Sequence, residues 1–178
     1  MQNDIRKILL TREAIASKVE ELGKTITAEY EGLNPLLVCI LKGAAVFFSD
    51  LIRHILLPVE VDFLAVSSYG ASTLASGAVK VLKDLDKSIE NRHILLVEDI
   101  IDTGLTLNYI KNMLVSRRAL SVKTCVLLDK PNHRKIDFKP EYRGFVVENY
   151  FVVGYGLDYN ERYRNLPDIC ILKPEIYD

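Results

Sequence analysis

Apolar positions along the chain follow two periods, and their alternation predicts the architecture. Residues 12–31 place Ile15, Val19 and Leu22 on one helical face. Pro35 marks a boundary, and the unbroken apolar run 36–41 reads as a strand buried on both faces. Residues 44–57 return to helical spacing, Pro58 stops them, and 59–68 read as a second strand. The small, polar, glycine-flanked stretch 70–77 is either a connector or a mobile lid, and 79–85 is again extended. A second unit follows with strand 93–101, helix 105–118 and strand 122–128. Beyond a polar loop at 131–143, short extended pieces are expected at 145–147 and 150–153, a helical turn at 159–163 and a last strand at 169–172. There is no internal repeat. The pattern predicts one α/β domain over residues 1–178, a doubly wound, mainly parallel sheet with helices on both faces.

The junction at 97–106, Val-Glu-Asp-Ile-Ile-Asp-Thr-Gly-Leu-Thr, carries the most chemistry. It lies at the carboxyl end of a strand, where open α/β sheets bind ligands. Thr103, Gly104 and Thr106 offer hydroxyls and open backbone N–H groups at a helix N-terminus, where the dipole favours a phosphate. Glu98 and Asp99 are placed to accept hydrogen bonds from two sugar hydroxyls, which leaves Asp102 nearer a reacting end. Asp102 or Thr103 would also serve as an ordinary helix cap. One acid satisfies a cap, whereas three in five positions exceed that need; acids after an apolar strand also occur in Mg²⁺ sites.

Composition narrows the class. The 178 residues are 49% hydrophobic and 26% charged without tryptophan, and no apolar run approaches the roughly 20 residues of a membrane span. The first residues mix charges and lead into no signal-like apolar core, so a cytoplasmic protein is expected. Cys39, Cys125 and Cys170 each sit in an apolar run, as buried strand thiols do, and show no zinc or disulfide spacing. A net charge of −1 supplies no field for nucleic acid; Arg117-Arg118 and His133-Arg134-Lys135 read as solvated helix ends or loops, with His133 a minor site candidate.

The 97–106 stretch resembles the signature of the type I phosphoribosyltransferases. Leu41-Lys42-Gly43, Ser67-Ser68-Tyr69-Gly70, Leu128-Asp129-Lys130-Pro131 and the run 151–159 resemble, in order, the hypoxanthine-guanine group within that family. The likeness covers nearly the whole chain. It implies a core at about 36–130 and a small hood made of the N-terminal segment and about 135–178. It implies transfer of the phosphoribosyl group from 5-phosphoribosyl 1-diphosphate to N9 of hypoxanthine or guanine, giving IMP or GMP and pyrophosphate, with Mg²⁺.

The resemblance also distributes roles. Glu98, Asp99, Asp102, Thr103, Gly104, Leu105 and Thr106 would hold the ribose phosphate, with Asp102 the general base toward purine N7. Leu41, Lys42, Gly43 and Arg164 would hold pyrophosphate, across a Leu41–Lys42 peptide that is often cis in the family; alignment alone separates Arg164 from Arg162. Lys130 would donate to the purine O6, Phe151 would stack on the base, and the backbone of Val152 and Asp158 would read its other edge. Glu98, Asp99 and Asp158 would contact the metal, although Asp158 reads equally as a turn residue. Ser68, Tyr69 and Gly70 would begin the lid. Some relatives carry a lysine where this chain has Ser67. The family implies a homodimer or homotetramer, with no nucleic acid or membrane partner. The alternatives are a nucleotide sensor on the same fold that binds RNA, and a phosphoribosyltransferase for xanthine or a pyrimidine.

Overall fold

The computed structural model describes residues 1–68 and 79–177. Nine strands and three α-helices are found among them: β1 (Ile5–Leu10), α1 (Arg12–Glu29), β2 (Leu36–Leu41), α2 (Ala45–His54), β3 (Glu60–Ser68), β4 (Val79–Lys83), β5 (His93–Ile101), α3 (Leu105–Ser116), β6 (Ser121–Asp129), β7 (Tyr142–Val146), β8 (Val152–Val153) and β9 (Ile169–Leu172). The expected lid residues Tyr69 and Gly70, and the rest of 70–77, lie outside the described residues.

Six strands form one sheet in the order β4-β3-β2-β5-β6-β7, parallel except where β4 runs against β3. Period-2 alternation divides its side chains between two cores. Leu37 and Cys39 of β2, with Leu95 and Val97 of β5, pack under α1 and α2 on Ile15, Val19, Phe47 and Leu51. Leu36, Val38 and Ile40, with Ile94 and Leu96, pack under α3 on Leu107, Ile110 and Leu114. Each such large apolar side chain contributes roughly 1.5–3 kcal/mol on burial, so both faces need cover. Burial also pushes the Cys39 thiol up to about 12, and Cys125 and Cys170 rise for the same reason, which makes them inert filler.

The chain leaves β2 through α2 to β3 on one side, and leaves β5 through α3 to β6 on the other. Right-handed crossovers running in opposite directions put their helices on opposite faces. The strand order therefore reverses between β2 and β5, and the crevice at their carboxyl ends is the position where such sheets take ligands. A separate antiparallel sheet, β1-β9-β8, stands as a hood, with Ile5 opposite Leu172 and Leu10 opposite Ile169.

Four expectations need correction. β1 is a strand that the adjacent charges Arg6 and Lys7 concealed. β7 joins the central sheet beside β6, so the core runs past about 130 and the hood is smaller than 135–178; Tyr142, buried against Tyr30, secures it there. Residues 159–163 are not helical: Tyr159 and Arg162 bridge as a tight hairpin, with Asn160 and Glu161 at φ +50° and +61°. Helix α2 ends at His54 rather than near 57, because the Leu56 N–H turns to Thr27 Oγ1 (3.0 Å) and Ile55 is extended. No helix among the described residues is long and apolar enough to cross a membrane.

Candidate active site

Three strand ends deliver the sequence-selected residues to one edge. From β2 come Leu41, Lys42 and Gly43, with the Leu41–Lys42 peptide cis. A Cβ on Gly43 would stand 1.7 Å from Asp99 Oδ2, so only glycine lets this turn approach the β5 carboxylate. From the hood side, a Cβ on Gly156 would meet the Gly43 carbonyl at 2.1 Å, which brings the 154–164 loop onto the same turn.

β5 supplies Glu98, opposite Val126 of β6, and Asp99 directly after it. Asp99 is 8% exposed and Glu98 half-buried. Burial raises both carboxyls above their ordinary range; the neighbouring Asp99 charge adds to the rise at Glu98, while hydrogen bonds and the Arg164 cation oppose it at Asp99. Two carboxylates short of positive charge fit a hard cation. Among the described residues no three acidic, histidine or cysteine side chains converge as a metal cluster, and Asp158 stands apart from the pair. A Mg²⁺ ion here would draw the rest of its shell from ligand oxygens and water.

The loop after β5 settles the capping question. The N-cap of helix α3 is Gly104, left-handed at φ +83°, with no side-chain cap bond, so neither Asp102 nor Thr103 fills that role. Thr103 Oγ1 accepts only a long bond from Leu105 N–H (3.4 Å). The first-turn N–H groups of α3 thus face a cleft of about 110 Å³ lined by Glu98, Asp102, Thr103, Gly104 and Thr106. Leu105 is exposed on the helix's first turn. The Asp102 carboxylate is paired with His133 Nδ1, and Arg134 donates to the Asp102 carbonyl at 2.9 Å.

β6 delivers Lys130, 7% exposed, whose Nζ donates to the Tyr150 carbonyl at 2.8 Å. Burial lowers its pKa and the Asp102 charge opposes that. Nearby, Phe151 is partly exposed, stacked on Tyr177 (4.7 Å, 19°) and edge-on to Tyr159 (5.5 Å). Val152 is buried in β8 opposite Ile171.

Asp158 accepts from the Glu161 N–H (2.9 Å) and pairs with Arg164 Nη2 (2.9 Å), so it does hold a turn. Arg164, not the exposed Arg162, faces the site; it also donates to the Gly156 carbonyl, and its buried Nε has no partner among the described residues. Ser68 ends β3, but its side chain is outside the described set. Sequence reasoning missed Arg134 and Glu161. Arg134 stood in a basic cluster read as solvated, yet it is mostly buried against Asp129, which is 1% exposed. A larger cleft of about 540 Å³ lies beyond Arg134, between Phe138 and Arg143, and holds none of the selected residues.

The phosphoribosyl transferase domain family matches residues 6–160. The hypoxanthine-guanine phosphoribosyltransferase of Bacillus subtilis is 54% identical over 178 residues, covering 100% of this chain and 99% of the relative. The bifunctional protein TilS/HprT of Listeria innocua is 55% identical over 99% of this chain, which spans only 27% of that relative's length. The crystal structure of a hypoxanthine phosphoribosyltransferase from Staphylococcus aureus superposes with a TM-score of 0.96 at 49% identity, covering 100% of this chain and 97% of that one.

Proposed function

The chain belongs to the phosphoribosyl transferase family, and we propose that it transfers the 5-phosphoribosyl group of 5-phosphoribosyl 1-diphosphate to N9 of hypoxanthine and guanine. The products are IMP or GMP and pyrophosphate. The observation that carries the reading is one crevice at a strand-order reversal that joins an uncapped helix N-terminus, three acids and a buried lysine.

The α3 N-terminus, with Thr103, Gly104, Leu105 and Thr106, takes the 5′-phosphate. Glu98 and Asp99 orient the ribose hydroxyls and would hold Mg²⁺, with Asp158 reaching the ion only through water. That ion, when bound, offsets the charge of the departing diphosphate. Lys42, Gly43 and Arg164 grip the diphosphate from β2 and the hood loop.

Asp102 accepts the proton from purine N7 as N9 attacks, and the reacting sugar carbon passes through an oxocarbenium-like state. His133 leaves one Asp102 oxygen for that task. Lys130 donates to O6, and an ammonium with no acid in contact rejects the amino group of adenine. Phe151 packs on the base, with Val152 and Asp158 at its other edge. The enzyme acts in the cytoplasm as a homodimer or homotetramer, and the chain forms a single catalytic domain.

A spectrophotometric assay with Mg²⁺ and 5-phosphoribosyl 1-diphosphate, offering hypoxanthine, guanine, xanthine and adenine separately, tests this. Turnover of hypoxanthine and guanine but not adenine is expected. Failure of every purine, or preference for adenine, would overturn it.

A further inference from the structure

Glu161 stands where a ligand would. One carboxylate oxygen, Oε1, accepts from Lys42 Nζ at 3.2 Å, and the other, Oε2, from Arg164 Nη2 at 3.4 Å. The two cations come from different parts of the fold, the turn after β2 and the hood loop. Arg164 Nη2 also pairs with Asp158 at 2.9 Å, so Glu161 shares that cation and is, among the described residues, the one carboxylate that touches both. Lys42 meets no other carboxylate among the described residues.

The backbone is built to present this side chain. Glu161 lies at φ +61°, a conformation L residues seldom adopt, beside Asn160 at +50° in the hairpin closed by Tyr159 and Arg162. Its N–H is fixed by Asp158 Oδ2 at 2.9 Å. An unfavourable backbone held by its surroundings is a feature that points to use. Yet the Glu161 and Lys42 side chains are 65% and 68% exposed, so their contact is solvent-screened and readily exchanged.

We propose that Glu161 is an internal stand-in for a diphosphate, neutralising Lys42 and Arg164 until a diphosphate-bearing ligand displaces it, and thereby setting the affinity of the site for such ligands. This rests on Lys42 and Arg164 being the diphosphate cations. A diphosphate carries oxygens on two phosphorus atoms, so it can satisfy both cations at once, as the bridging carboxylate does. Displacement frees Glu161 to water at small cost because it is already mostly exposed.

Titration calorimetry with inorganic pyrophosphate and Mg²⁺ at low ionic strength tests the idea on wild type, Glu161→Gln and Glu161→Ala. Glu90→Gln, at the opposite end of the strands beside Arg118, controls for net charge. Removing a competing exposed pair should tighten the pyrophosphate dissociation constant about three- to tenfold in both Glu161 variants, and the gain should shrink with added salt. Glu90→Gln should leave it unchanged. Unchanged or weaker binding in the Glu161 variants, or equal tightening in Glu90→Gln, would overturn the proposal. Absence of pyrophosphate binding in the wild type itself, together with no purine turnover, would instead defeat the assignment of Lys42 and Arg164, and this proposal with it.

Discussion

Lys130→Met separates recognition of the base from grip on the sugar phosphate. The methionine keeps the length of the stem and removes the ammonium of a residue that is 7% exposed; among the described residues its Nζ bonds only the Tyr150 carbonyl, at 2.8 Å. Loss of a charge-assisted hydrogen bond to O6 costs about 1.5–3 kcal/mol, or roughly 10- to 200-fold in kcat/KM for hypoxanthine. The KM for 5-phosphoribosyl 1-diphosphate should stay near wild type, since its residues sit on β2, β5 and the hood loop. A parallel loss on both substrates, or no loss on hypoxanthine, would refute the assignment.

The same variant carries a pH signature. Burial lowers the Lys130 pKa in the folded protein below its ordinary 10.5. Between those two values the unfolded chain binds more protons, so wild-type stability rises with pH there, by up to about 1.4 kcal/mol per pH unit for one proton. Below the folded pKa the penalty of the buried charge is fully present; above 10.5 it is gone. The variant lacks this penalty. Denaturation midpoints from pH 7 to 11 should therefore show the difference between variant and wild type moving in the wild type's favour as pH rises. A pH-independent difference would mean that the ammonium is not desolvated.

Three further substitutions probe the remaining parts. Asp102→Asn should lower kcat about 10²- to 10⁴-fold while calorimetry shows pyrophosphate still bound; wild-type kcat would remove Asp102 as the base. Gly43→Ala forces a Cβ into Asp99 Oδ2, 1.7 Å away, and should cost about 1–3 kcal/mol in urea denaturation along with most activity; a neutral result would mean the turn is not tightly set. Arg134→Met strips Asp129 of its closest cation and leaves only Arg143 at 3.3 Å, so a loss of about 3 kcal/mol is expected by thermal unfolding. Retained stability would show that water satisfies Asp129.

The parts visible in the sequence are those whose burial is two-sided or whose chemistry is local. β2 and β5 are covered on both faces, so their apolar runs are continuous and unmistakable. The acids of 98–102 stood out because they outnumber the needs of a cap, and the true cap proved to be Gly104. β1 was hidden because Ile5–Leu10 is a hood-edge strand with charged outward positions, and its partner β9 lies at the other end of the chain. The spacing at 159–163 suggested a helical turn, but left-handed Asn160 and Glu161 made a hairpin instead. Arg134 and Glu161 were illegible for a related reason. Their roles exist only through contacts to Asp102 and Lys42, 32 and 119 positions away.

The two halves of the site differ in how firmly they are built, and the difference matches what each must recognise. A 6-oxopurine is a rigid template: O6 and N7 have a fixed separation, so the donor and the base that read them need a fixed separation too. Lys130 and Asp102, the residues proposed for those roles, are held in that way. The Lys130 N–H bonds the Ile101 carbonyl (3.0 Å), the Lys135 N–H bonds the Thr103 carbonyl (3.0 Å), and Arg134 ties the Asp102 carbonyl to the buried Asp129 carboxylate. The segment after β6 thus straps the loop after β5 at successive residues, and neither can shift alone. The diphosphate is flexible, highly charged and must depart in every turnover. The cations proposed for it are correspondingly exposed or shared: Lys42 reaches from a turn, and Arg164 divides its donors among Gly156, Asp158 and Glu161. A frame rigid at the base and exchangeable at the leaving group lets binding hold the reacting atoms in register without trapping the product.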